Sequence, residues 1–363
     1  MMTRLNPFAV FIVSLVLLSC GDVKLPATGQ EDEIILFADD STWTFLERTV
    51  RSVFQDTVFT PQPELWFVVR RAPMADFGKY EKHMNRILLA PLDGTGPAAE
   101  FMRRSLGPSV QQLVEQGEEF VINKYDPKAR GQILMYLTGP DLASLRSSME
   151  NEAPELLYYF KRTSLRRELA SVQSESGYHK KEIERSLLKR YDWTMTIQHD
   201  YLVARDSAEG GFFWVRRATP ADMERWIFVA WREVKDPRIL TDRYAIALRD
   251  SLTRRYMRTI DEEAFVEIAP YYLQIENISF LDRFAYEMRG NWRFSDKTGG
   301  GPFVNYTFYD EGTRRVYVLD GSIFAPRVEK KKLILQVDAL LHTFRTIHEL
   351  SDKEKVELGE GRD

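Results

Sequence analysis

Residues 300–347 read GGPFVNYTFYDEGTRRVYVLDGSIFAPRVEKKKLILQVDALLHTFRTI, and two periods run through them. Val304, Tyr306 and Phe308 alternate with other residues, as do Val316 and Val318, which is the period of two of a strand with one buried face. Leu333, Ile334, Val337, Leu340, Leu341, Phe344 and Ile347 recur instead at the spacing of one helix face. Strands followed by a closing amphipathic helix predict an α+β fold. Gly300-Gly301-Pro302-Phe303 reads as a tight turn joining two strands, with Phe303 anchored in the core. Its backbone N–H groups could also face an anion, so this loop, together with Trp292, is the candidate binding loop.

Upstream, further strands are expected at Thr194–Val203, Phe212–Arg216, Trp226–Trp231, Phe265–Ile268, Tyr272–Ile278 and Phe284–Met288, with a helix over Tyr244–Met257. The first half predicts strands at Ile34–Phe37, Leu65–Val69, Arg86–Ala90 and Gln132–Leu137. Between them fall a helix through Trp43, Leu46 and Val50, helical spacing at Val110–Val114, and a long helical stretch from Leu142 to Leu169. Ser174-Glu175-Ser176-Gly177 interrupts that stretch and marks the boundary between halves. The chain therefore divides into two lobes of mainly antiparallel sheet with packed helices, 34–175 and 182–350, and a charged, frayed tail at 351–363. Phe67–Asp76 echoes Phe213–Asp222, which duplication or coincidence would equally explain.

The first twenty residues form an address. Arg4 precedes an apolar run from Phe8 to Leu18, too short for a stable membrane anchor. It ends in Leu17-Leu18-Ser19-Cys20, which resembles a bacterial lipobox. A signal peptide at 1–19, acylation of Cys20 and a polar tether at 20–33 follow from that reading, with the body attached to a membrane through lipid. Cys20 is the single cysteine among 363 residues, so no disulfide framework or Cys-based metal site is available within one chain. Lys and Arg number 50 against 54 Asp and Glu, a net −4 that argues against a nucleic-acid partner.

Trp43, Pro61-Gln62-Pro63-Glu64, Arg289-Gly290-Asn291-Trp292, Gly300-Gly301-Pro302-Phe303, Asp320-Gly321 and Phe324-Ala325-Pro326 followed by Lys330-Lys331-Lys332 occur in a familiar order. The chain resembles, over nearly its whole mature length, the Bacteroidota lipoprotein family catalogued as domain of unknown function 4837. Asn291 and Thr298-Gly299 depart from the family pattern. The resemblance implies a cell-envelope lipoprotein and transfers no catalytic residue. The order of elements is also similar to the PsbP/Mog1-like α+β sandwich, a likeness of fold alone.

Chemistry-bearing motifs are sparse. The five histidines lack H-E-x-x-H spacing and are expected to be solvated, so no metal or cofactor is expected. Ser186-Leu187-Leu188-Lys189 matches a common four-residue pattern without its usual companions. Paired arginines such as Arg70-Arg71 and Arg216-Arg217 point to opposite faces of a strand and are expected to be neutralised by acids. Asp-Ser and Asp-Thr pairs resemble O-glycosylation acceptors of Bacteroidota envelope proteins, with Ser207 and Thr57 as candidates, although such pairs also serve turns and caps. The sequence thus leads to an envelope lipoprotein on the periplasmic side of the outer membrane, acting as a non-catalytic binding or assembly module. An envelope hydrolase or transferase, or a small-ligand or lipid carrier, are the alternatives.

Overall fold

The structure, a computed structural model, describes residues 24–58, 60–174, 178–220 and 223–359. Three strands built on apolar runs found the first half: β1 (Glu33–Phe37) on Ile34–Phe37, β5 (Asn85–Leu89) on Ile87–Leu89, and β7 (Ile133–Leu137) throughout. Apolar runs without alternation are buried on both faces. Ile34 and Leu36 enter one core layer, Ile35 and Phe37 another. The first layer is closed by α1 (Asp40–Phe54), α4 (Leu142–Asn151) and α5 (Ala153–Ser174). The second is closed by α2 (Pro97–Ser105) and α3 (Pro108–Glu115). A short antiparallel pair, β2 (Thr57–Val58) and β3 (Glu64–Leu65), precedes β4 (Val68–Ala72), and β6 (Val121–Tyr125) precedes β7.

The sheet order is β4-β1-β5-β7-β6. All pairings among β4, β1, β5 and β7 are parallel, and β6 alone runs antiparallel at the edge. This corrects the expectation of antiparallel sheet for the first lobe: helical crossovers between β1 and β4 and between β5 and β7 leave successive strands pointing the same way.

The second half is antiparallel as expected. The strand read over Thr194–Val203 falls instead at Trp193–Thr194 and Leu202–Ser207, and those read at Phe265–Ile268 and Tyr272–Ile278 form one strand. This half contributes α6 (Lys181–Tyr191), β8 (Trp193–Thr194), β9 (Leu202–Ser207), β10 (Phe212–Arg217), β11 (Glu224–Glu233) and α7 (Asp242–Tyr256). Then come β12 (Val266–Phe280), β13 (Arg283–Phe294), β14 (Gly300–Asp310), β15 (Arg315–Phe324), α8 (Lys331–Leu341), β16 (Arg345–Thr346) and α9 (Asp352–Gly359). Seven strands pair antiparallel in the order β12-β13-β14-β15-β11-β10-β9. Val304, Tyr306 and Phe308 face α8 and α6, while Phe303, Val316 and Val318 face α7. The class is α+β with mostly antiparallel strands.

Several expectations change. Residues 24–32, read as tether, are fastened to the body: Ala27 donates its N–H to Arg130 O at 2.9 Å and Thr28 to Lys82 O at 2.8 Å. The tail forms α9, held by Arg345 paired with Glu354 and by a Ser351 hydroxyl that accepts the Glu354 N–H. The echoing segments lie in a parallel edge strand, β4, and in an interior antiparallel strand, β10, so no common unit underlies them. Among the described residues no helix is long and apolar enough to cross a membrane.

Candidate functional site

The chain leaves β1 through α1 toward β4 on one side, whereas β5 lies on the other. Loops that diverge from adjacent parallel strands open a crevice at their carboxyl ends, where doubly wound sheets receive ligands. Here it is a cleft of ≈ 390 Å³ lined by the start of α1, the Pro91–Gly96 loop and the start of α4. Asp39 follows β1, and its carboxylate accepts the N–H groups of Ala98 at 3.0 Å and Ala99 at 3.2 Å, capping α2. Gly96 permits this approach, since a Cβ there would stand 2.3 Å from the Asp39 carboxyl carbon. Asp141 caps α4 through Ser144 N–H at 2.8 Å, a bond that holds its carboxyl below the usual carboxylate range. The N-termini of α2 and α4, which would attract an anion, already hold protein carboxylates, whereas α1 begins without a side-chain cap. Asp93 lies exposed in the same cleft, and among the described residues its side chain makes no hydrogen bond or ion pair. Phe45 forms part of the wall, with the Arg146 guanidinium 3.7 Å from its ring centre.

The Gly300–Phe303 candidate is not a loop. These residues open β14, with Gly300 opposite Arg293 and Gly301 opposite Trp292. The turn falls earlier, where Lys297 takes a φ of 67°. The glycines serve close approach instead: a Cβ on Gly301 would stand 1.9 Å from Ile323 O. Trp292 is fully buried and donates its Nε1–H to Ile323 O at 3.1 Å, and Phe303 is core as expected. Ser207 ends β9 and Thr57 begins β2, both half-buried. Cys20 lies outside the described residues.

His83 is buried rather than solvated, bonded to Asn85 O and the Glu33 carboxylate at 3.2 and 3.1 Å. Burial pushes its imidazole down, and Glu33 only partly offsets this. Arg70 pairs with Glu33, Arg71 with Asp40, Arg216 with Glu224 and Arg217 with Asp200, as expected of neutralised arginines.

Sequence patterns missed the interior polar groups, because single polar letters within apolar strands carry no period. On the α7 side, Arg249 Nε bonds Asp320 at 2.6 Å with both side chains wholly enclosed, and Asn305 donates to Asp320 at 3.0 Å. On the α8 side, Asp338 accepts from Tyr306 OH at 2.7 Å and Arg289 at 2.8 Å and meets His342 at 3.3 Å. Burial pushes the Asp338 carboxyl up, but Arg289 and His342 hold it well below the usual range. Lys161 of α5 lies over the Trp66 ring at 4.4 Å, and burial pushes its ammonium down to about 8. Among the described residues no group of three or more His, Cys, Asp or Glu is placed to hold a metal ion.

Fold and crevice define an α+β protein with two main sheets, one doubly wound and one antiparallel. Residues 180–343 match the family model Domain of unknown function (DUF4837), and residues 27–173 match Domain of unknown function (DUF8532). The resemblance expected along nearly the whole mature chain is therefore confined to its second half. No curated protein matches the chain. A solved structure of a mutant of protein Mog1 is similar to it at 9% identity and a TM-score of 0.28, covering 43% of this chain and 91% of that one.

Proposed function

We propose that this chain is a Bacteroidota envelope lipoprotein, acylated at Cys20 and facing the periplasm, that binds a partner rather than transforming a substrate. Its two halves, 34–175 and 182–350, share that one anchor. The observation that carries the reading is the use made of the crevice carboxylates. Asp39 and Asp141 hold helix N-termini, so neither is free to shuttle protons, and Asp93 adds negative charge open to solvent. A cleft so lined suits a basic group on an envelope polypeptide.

Two measurements in the native host test this. Cys20→Ala should move the protein out of the membrane fraction; retention through high-salt washing overturns the anchor. A photo-crosslinking residue at Thr95, on the cleft wall, should give one discrete adduct that disappears in Asp93→Lys. An adduct indifferent to that charge reversal, or none at all, overturns the crevice as a binding site.

A further inference from the structure

The parallel strands have a second edge, opposite the crevice, and the chain's first described residues are fastened along it. Lys24 donates to Asp126 O at 2.5 Å, Arg130 N–H to Leu25 O at 2.8 Å and Met84 N–H to Thr28 O at 2.9 Å. These bonds join the strap to the loops that precede β5 and β7. The two loops are themselves tied together: the Gln132 side chain donates to Glu81 O and His83 O, each at 2.9 Å, and Arg167 donates to Gly131 O at 2.6 Å. The edge is thus a rigid platform rather than a set of loose turns.

The exposed side chains of this edge are mostly cationic. Lys24, Lys79, Lys82, Lys128 and Arg130 are exposed here beside Glu81, while Glu31, Asp32, Glu33 and Asp126 are half-buried, with Asp32 facing Lys331 and Glu33 paired with Arg70. The Asp126 carboxylate turns inward, accepting the N–H groups of Gly131 and Gln132 at 2.6 and 2.9 Å. Leu25 and Tyr125 stand out among these cations at 67% and 42% exposure. Only four chain steps separate Cys20 from Lys24, a reach of at most about 14 Å.

We propose that this edge is a membrane-contacting face for anionic phospholipid, which stands the body on the lipid surface with the acidic crevice pointing away. Basic side chains near an anionic surface attract it and apolar ones enter its interface. The orientation in the cell rests on the acylation of Cys20; the affinity of the face for anionic lipid does not.

The test uses the mature chain from Cys20 to Asp363, coupled through its one thiol to maleimide-bearing lipid in vesicles of neutral phosphatidylcholine or of phosphatidylcholine with phosphatidylglycerol. Amine acylation is followed residue by residue. On anionic vesicles Lys79, Lys82 and Lys128 should label at least about fivefold more slowly than on neutral ones, with Lys353 unchanged. About 0.5 M salt should erase the difference. Equal labelling of the three lysines on both vesicles, or slowing that extends to Lys353, overturns the face. Because the coupling is chemical, failure here is distinct from failure of native acylation, which Cys20→Ala fractionation reports.

Discussion

The carboxylate of Glu64 accepts the backbone N–H of Lys330 at 2.7 Å, across 266 positions of sequence, and that of Lys331 at 3.0 Å through its other oxygen. A side chain of the first half thereby caps the helix that closes the second. Lys331 returns the contact, its ammonium donating to Leu65 O at 3.0 Å and Trp66 O at 2.9 Å. The halves are joined by a helix cap as well as by the packing of α5 on α8.

Removing that cap should loosen α8 first. Glu64→Ala is expected to cost about 1–2 kcal/mol, from lost cap bonds and lost charge at the helix N-terminus. Glu64→Gln, which keeps an acceptor, should cost roughly half as much. Urea unfolding, with hydrogen exchange of the first α8 turn, checks both; protection unchanged in Glu64→Ala would refute the cap.

Arg249 and Asp320 are matched inside the second core. Arg249→Met leaves a carboxylate enclosed without its cation and should lose about 3–5 kcal/mol. Adding Asp320→Leu should recover much of that, since an apolar pair of similar volume carries no buried charge. A double variant as unstable as the single one would contradict this.

At Gly301 a methyl group would meet the Ile323 carbonyl, so Gly301→Ala must part β14 from β15, at a cost of about 2–3 kcal/mol. Gly78, with open space around its Cβ position, is the control. Equal melting temperatures for the two alanine variants would show that the strands do not approach so closely.

His83 and His342 should titrate on opposite sides of 6.5. Burial pushes His342 down, but the bond to Asp338 and its charge outweigh this and hold the imidazole above its ordinary value. Its contribution to stability is therefore complete below 6.5 and fades as pH rises through the folded value. His83 is held below 6.5, so it favours the fold above that pH and its contribution fades as pH falls. Asp338, held low, loses its contribution only in acid, below 3.8. Imidazole proton NMR reads both histidines directly. His342→Gln should flatten the decline in stability above pH 6.5; an unaltered slope would remove His342 from that decline.

Much of the element plan was legible. The helix through Trp43, Leu46 and Val50 and the strand at Ile34–Phe37 lie where apolar spacing places them. The last helix was legible in position but not in length. It ends at Leu341; Phe344 reaches the core from the segment that follows and pairs with β8, and Ile347 is only half-buried. The motif residues were legible as a set without their reason: Pro61–Glu64 and Lys330–Lys332 face each other across the junction. The crevice was not legible, because Asp39, Asp93 and Asp141 are far apart in the chain and lie in unremarkable turns.

Sequence alone determined which residues are apolar, at what period, and hence where strands and helices begin; these depend on side chains a few positions apart. Tertiary structure decided whether the apolar strands of the first half run parallel, why Gly301 must lack a side chain, and that residues 24–32 are fastened rather than free. Each of these depends on a partner distant in sequence: a crossover that sets strand direction, a carbonyl on the next strand, a loop edge that supplies backbone bonds. Local periodicity records how a segment meets an apolar environment, and it is silent about which segment supplies that environment.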